Sequence, residues 1–197
     1  TFLDMYNKTP VMQIAEDLMG EGKVKPVTRA KTYPRFPIAL GEEPTDPRGH
    51  LDGVGNGTNG QEKGKYSRSL TAFAVVYLQD VDGPNSGNFT VWPRTHTFFQ
   101  DYFKDNGGHE ILRNGMPHPE FPEPPIMVTG KAGDLVIAHH SMFHGPCLNA
   151  SPNVRLATIS RLQHVDVEEN GPDAYLDIWR EWDGVREALE GVETPAA

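Results

Sequence analysis

A chain of 197 residues with a net charge of −9, a pI near 5.3 and a mean hydropathy of −0.52 is long enough for one domain with a sizeable core, whereas two independent domains would be cramped. The acidic balance, with no run of lysine or arginine, argues against nucleic acid or an anionic membrane as partner. No apolar stretch approaches the roughly 20 residues that cross a bilayer, no signal peptide is visible, and the single cysteine, Cys147, cannot form an internal disulfide, so the chain is expected inside the cell, in the cytoplasm.

In chain order, Thr9-Pro10 followed by Val11, Met12, Ile14, Ala15, Leu18 and Met19, then Gly20, reads as an amphipathic helix with an N-cap, a proline at its first position and a glycine stop. The chain starts at Thr1 without a methionine, which leaves room for a natural N-terminus upstream. Residues 23–32 read as a strand and 34–46 as a loop feeding His50-Leu51-Asp52. Residues 53–65 hold five glycines without apolar periodicity, and no helix follows, so they are not a phosphate-binding loop and read equally as a mobile loop beside the metal or as a plain connection. The longest strand candidate is 69–80, rich in Val, Phe, Tyr and Thr, and the turn residues Asp82 to Gly87 return it into a strand over 89–92. Residues 97–103 predict a short helix burying Phe98, Phe99, Tyr102 and Phe103 as core. Strands are expected over 126–129, 135–139 and 154–162, and an outer helix over 174–189. Many short strands divided by Gly/Pro/Asn turns, with helices at both ends, give a mainly β fold, a jelly roll or related double-sheet barrel.

Chemistry concentrates on His50, Asp52 and His144. On a strand, side chains at i and i+2 share a face, so His50 and Asp52 can aim at one metal while Leu51 turns away, and His144 arrives from another strand. Two imidazoles and one carboxylate form the facial ligand set of non-haem Fe(II), and the lack of thiolates argues against structural zinc. Arg155 follows His144 by eleven residues. The turn-rich stretch between them predicts a hairpin, with the returning strand carrying Arg155 to where its planar fork can pair the far carboxylate of a chelated dicarboxylate.

Other histidines fit less well. His164-Val165-Asp166 has no histidine after it and reads as a polar strand end. His118-Pro119-Glu120 sits in a proline-dense surface loop, and His140 with His144 lacks the glutamate of a helical zinc-protease pair. His96 reads as a hydrogen-bonded structural residue and Cys147 as a small packing residue. Four Asn-x-Ser/Thr triplets, at Asn7, Asn56, Asn88 and Asn149, are too short a pattern to carry weight.

Taken together, His50-Leu51-Asp52, the segment Leu78 to Asp82, Ser86-Gly87 through Trp92-Pro93 to His96, Gly133-Asp134-Leu135, His144-Gly145, Asn149-Ala150-Ser151 and Arg155 resemble the phytanoyl-CoA dioxygenase family of Fe(II)/2-oxoglutarate oxygenases, over most of residues 48–163. Arg94-Thr95 stands where that family has Gly-Ser, and Ala157 where some of these oxygenases have the serine of Arg-x-Ser. The resemblance implies a double-stranded β-helix with Fe(II) on His50, Asp52 and His144, 2-oxoglutarate chelated to it with its 5-carboxylate on Arg155, and O2 as co-reactant. Thr71 or Tyr77 is the expected hydroxyl partner of Arg155. It further implies hydroxylation of a small molecule with release of succinate and carbon dioxide, since halogenating relatives lack the carboxylate that Asp52 supplies. Two other readings stay open: a catalytically silent metal-binding barrel serving interaction, and a cupin-like isomerase or hydrolase with another metal.

Overall fold

The computed structural model describes residues 1–53, 69–107 and 120–190. Two helices, α1 (Phe2–Asn7) and α2 (Pro10–Met19), precede the edge strand β1 (Ala30–Arg35). Then come β2 (Ala72–Tyr77), β3 (Phe89–Val91), α3 (Thr95–Asp105), β4 (Ile126–Met127), β5 (Leu135–His139), β6 (His144–Pro146) and β7 (Arg155–Leu162). The chain closes with α4 (Val167–Asn170), a 3-10 turn (Gly171–Tyr175) and α5 (Asp183–Glu190). The strands make two antiparallel sheets, one of order β1-β7-β2-β5 and one of order β4-β3-β6. The expected mainly β architecture with helices toward both ends is present. No described helix is long and apolar enough to cross a membrane.

Local chemistry accounts for most of these elements. The Thr9 hydroxyl accepts from Val11 N–H and Pro10 opens α2, whose Val11, Ala15 and Met19 are buried. Strand β2 is buried on both faces, which its unbroken Ala-Phe-Ala-Val-Val-Tyr run anticipates. Its even residues Ala72, Ala74 and Val76 pack with α1 and α2, whereas Phe73, Val75 and Tyr77 join Phe89 and Ala157 between the sheets. Pro34 lies within β1, a position open to proline because β1 is an edge strand and the missing N–H faces away from the ladder. Phe99 and Phe103 of α3 are fully buried with Leu51, Trp92, Phe143 and Tyr175, as the aromatic spacing predicts.

Three expectations change. The first strand covers 30–35 rather than 23–32, and residues 23–29 approach the sheet mainly through the bridge Val24–His164. His144 and Arg155 are not on neighbouring strands of a hairpin: β6 pairs with β3 in one sheet and β7 with β2 and β1 in the other. Nor is 174–189 one helix. Ile178 N–H donates to the Gln100 side chain at 3.1 Å and Ile178 C=O accepts from His139 at 2.8 Å, so tertiary partners take the groups an α-helix would use. Bonds from Leu176 to Asp173 and from Arg180 to Asp177 then wind the segment as successive tight turns, which keep Tyr175, Ile178 and Trp182 inward. The glycine-rich segment beyond Gly53, and His118-Pro119, lie outside the described residues.

Candidate metal centre

One backbone bridge assembles the site. His50 N–H donates to His144 C=O at 2.8 Å and His144 N–H donates to His50 C=O at 3.1 Å, so the two residues face each other as a hydrogen-bonded antiparallel pair with both side chains on one side. Glycines permit that approach: a Cβ on Gly145 would lie 2.1 Å from the Arg48 carbonyl oxygen, and one on Gly49 would lie 2.5 Å from the Phe143 ring. The imidazoles end 4.6 Å apart, and Phe73 packs against His144 at 4.4 Å. Leu51 turns into the aromatic core, fully buried; the expected strand does not form, since His50 makes an isolated bridge and Asp52 lies in a turn, yet Asp52 stays beside His50 with Oδ1 3.0 Å from its Nε2.

His50, Asp52 and His144 each offer a ligand atom, all within 4.8 Å of one another. His50 Nε2 lies 3.0 Å from Asp52 Oδ1, close to the spacing of two ligands at right angles on a metal with bonds of about 2.1 Å. His144 Nδ1 lies 2.9 Å from the Met142 carbonyl oxygen, which can only accept; Nδ1 therefore carries the proton and Nε2 keeps its lone pair for the site. Burial, with the charge of His50 adding to it, pushes His144 down to about 4, so the ring is neutral and ligand-competent near neutrality. Burial alone raises the Asp52 carboxyl, but the hydrogen bond from His50 and the charges of His144, Arg161 and His50 outweigh it and hold the group well below the usual carboxylate range. Arg161 Nη2 donates to Asp52 Oδ2, and Tyr175 OH donates to the Asp52 carbonyl at 3.0 Å. Two imidazoles and an ionised carboxylate, with no thiolate, fit Fe(II) or a similar divalent ion.

The triad opens on a cavity of about 560 Å³ between the sheets, walled by Phe73, Val75, Phe89 and Ile159 and shared by Arg155. Arg155 is therefore brought to the site across the gap between the sheets, not along one sheet. Its Nε donates to Gly87 C=O at 2.6 Å and its Nη1 to Tyr33 C=O at 3.3 Å, and its carbon Cζ stands 6.0 Å from the centre of the Tyr77 ring. Burial, reinforced by neighbouring Arg35, lowers the guanidinium below its ordinary value. Gly87, at φ +70°, sits beside the arginine stems, where a Cβ would lie 2.8 Å from that of Arg35 and 3.3 Å from that of Arg155.

Neither expected hydroxyl partner reaches Arg155 through its oxygen. Thr71 donates to the buried Glu181 carboxylate and accepts from His164 N–H at 2.9 Å; both bonds draw it away from the cavity, which it does not line. Tyr77 OH donates to Val128 C=O at 2.8 Å and accepts from Phe89 N–H at 3.1 Å, leaving its ring, not its hydroxyl, beside the guanidinium. His96 is not hydrogen-bonded at Nδ1; it packs on His139 and Trp179 instead. His164 and His140 are buried outside the metal cluster, and His164 accepts from Asp166 N–H at the end of β7. Cys147 is buried with its thiol against the Asn88 amide oxygen, and Asn88 and Asn149 bond backbone carbonyls from the interior. Arg161 and Arg35 were not singled out by sequence, although alternation along 155–161 and 29–35 places both on the inward face.

No family model and no curated protein matches the chain. Among solved structures, it is similar to the non-heme alpha ketoglutarate dependent epimerase SnoN from nogalamycin biosynthesis, with a TM-score of 0.54 and 17% identity over 83% of this chain and 56% of that one. A structure of SnoN in complex with Fe3+, alpha ketoglutarate and nogalamycin RO gives a TM-score of 0.53 at 16% identity over 83% of this chain and 58% of that one. The chain thus spans little more than half the length of SnoN, and what the two have in common is the fold.

Proposed function

We propose that the chain is the core of an Fe(II)/2-oxoglutarate-dependent dioxygenase of the phytanoyl-CoA dioxygenase type, built as a double-stranded β-helix and hydroxylating a small molecule. The observation that carries this reading is the convergence of His50, Asp52 and His144 within 4.8 Å at the wall of a cavity that also holds a buried arginine. The similarity in fold to an enzyme described as alpha ketoglutarate dependent supports it.

His50 Nε2, Asp52 Oδ1 and His144 Nε2 hold the metal. Bound Fe(II) with 2-oxoglutarate and O2 supplies the oxidation, in which the keto acid becomes succinate and carbon dioxide as the substrate gains a hydroxyl. Arg155 pairs the 5-carboxylate of 2-oxoglutarate; two backbone carbonyls hold its Nε and Nη1, and the Tyr77 ring stiffens its position. Tyr77 therefore supports the cosubstrate through its ring, and Thr71 is assigned no contact with it. Met142 C=O fixes the His144 tautomer, and Arg161 holds Asp52 turned toward the metal. Phe73, Val75, Phe89 and Ile159 exclude water from the reacting centre. Because Asp52 fills the carboxylate position, hydroxylation is favoured over halogenation.

Anaerobic Fe(II) binding followed by 2-oxoglutarate addition and admission of O2 tests the reading, with succinate as the product measured. Iron-dependent succinate release, with or without a coupled substrate, is the expected result. A chain that binds neither Fe(II) nor 2-oxoglutarate and yields no succinate with any substrate would be a silent barrel.

A further inference from the structure

The cavity wall is cationic although the chain is acidic. Elsewhere, Lys8, Lys23, Arg94, Lys131, Arg180 and Arg186 each lie within 4.0 Å of a carboxylate. Lys25, Arg29, Lys31, Arg35 and Arg155 all line the cavity, and none has a carboxylate at that distance among the described residues. Among the described residues, Arg161 is the one lining lysine or arginine that is paired, to Asp52, the only described acidic residue of the lining. Alternation produces this arrangement: Arg35 and Lys31 of β1 lie opposite Arg155 and Ile159 of β7, and Arg29 continues the same inward row. Like charges directly opposite on neighbouring strands repel, and Arg35 Nε is moreover buried without a hydrogen-bond partner.

Resting on the reading above, the cosubstrate brings one free carboxylate once its other end is on the metal, and Arg155 with Arg35 beside it answers that charge. Lys25, Arg29 and Lys31 remain, farther along the same wall toward the end of β7 where Arg161 meets Asp52. Net charge −9 sets a long-range field that disfavours anions, so a local row of cations without a carboxylate partner among the described residues, in a concave wall, marks a place where a bound anion gains most. We propose that the primary substrate is a small organic anion whose phosphate or carboxylate group is held by Arg29 and Lys31, with Lys25 alongside, while its apolar part rests on Phe73, Val75 and Ile159. The same cations discriminate against neutral molecules of equal shape.

The test is calorimetric titration of the full chain, loaded anaerobically with Fe(II) and saturated with 2-oxoglutarate, using phenyl phosphate, benzoate and phenol as probes. Phenyl phosphate or benzoate binds, the tighter of the two naming the charged group, and phenol does not. In the double variant Arg29→Gln, Lys31→Gln the anion's affinity falls about tenfold or more, the loss of one charge-assisted contact being worth roughly that factor. The charge-keeping variant Arg29→Lys, Lys31→Arg retains most of it, and 2-oxoglutarate affinity stays within about twofold in both. The proposal is overturned by equal anion affinity in the wild type and the Gln variant, by phenol binding as tightly as the anions, or by anions that simply displace 2-oxoglutarate. If 2-oxoglutarate itself fails to bind, the dioxygenase reading falls, and the same titrations on the chain alone still decide the anion site.

Discussion

The two faces of the four-stranded sheet use the same strands for opposite ends. Ala72, Ala74 and Val76 of β2 meet α1 and α2 in a closed apolar layer that includes Tyr6, Ala15 and Met19, all completely buried. One residue along, Phe73 and Val75 share the other face with Arg155, Ile159 and Arg161 and look into the cavity. A period of two therefore divides stability from chemistry at single-residue resolution. Substitutions on one face should leave the other's property almost untouched.

The largest effect is expected at the metal. Asp52→Ala removes the anionic ligand and leaves Arg161 without its partner. Losing residues that merely orient ligands costs about 10–100-fold in metal affinity, so losing the ligand itself should exceed about 100-fold, with 2-oxoglutarate turnover falling in parallel. Undiminished iron binding in that variant would remove Asp52 from the site.

The cavity face also carries a pH signature. His144 is pushed down to about 4 from the ordinary 6.5, so between those values the unfolded chain binds a proton that the folded chain does not. Stability is then fully present above pH 6.5 and falls as pH drops toward 4, by about 3 kcal/mol for a shift of this size. Urea unfolding of metal-free protein at pH 7 and pH 4.5, compared with His144→Gln, isolates this contribution. A variant with the same pH slope as the parent would assign the effect elsewhere.

Next comes the arginine. Arg155→Gln should raise the 2-oxoglutarate concentration needed for half-saturation by the equivalent of about 1.5–3 kcal/mol, the worth of a charge-assisted hydrogen bond, while iron affinity holds. An unchanged requirement would leave the buried guanidinium a structural role, through its contacts to Gly87 C=O, Tyr33 C=O and the Tyr77 ring.

Much of this was legible along the chain, and its limits are instructive. The i, i+2 spacing of His50 and Asp52 held because Leu51 buries on the far side, and the runs at 135–139 and 155–162 kept their strand character. Connectivity was the harder matter. A turn-rich stretch after His144 reads as a hairpin, yet β6 and β7 join different sheets, and local turn chemistry does not say which partner a strand takes. The closing segment kept its inward spacing but lost its helix because Gln100 and His139, distant in sequence, bind both backbone groups of Ile178. Thr71 shows the same limit for a side chain: its strand position suggested the cavity, and Glu181 drew it elsewhere. Arg161 and the β1 cations needed only the period already applied to β7, extended one strand further.

The packed face offers the smallest and most discriminating prediction. Ala74 is fully buried beneath α1, and its carbonyl accepts from the Tyr6 hydroxyl at 3.4 Å, so Ala74→Leu must push extra methyl groups into a filled layer. Overpacking of this kind costs about 1–3 kcal/mol and should appear as a lower urea midpoint with an unchanged slope. Its neighbours in sequence, Phe73 and Val75, face the cavity, so strain passing through the β2 backbone would reach His144 by way of the Phe73 ring, 4.4 Å from the imidazole. Strand β2 is bonded on both sides, to β5 and β7, and a strand so held moves little when one face is crowded. Iron affinity in Ala74→Leu should therefore stay within about threefold of the parent, less than 1 kcal/mol. A loss of iron binding as large as the loss of stability would show that the two faces are mechanically one.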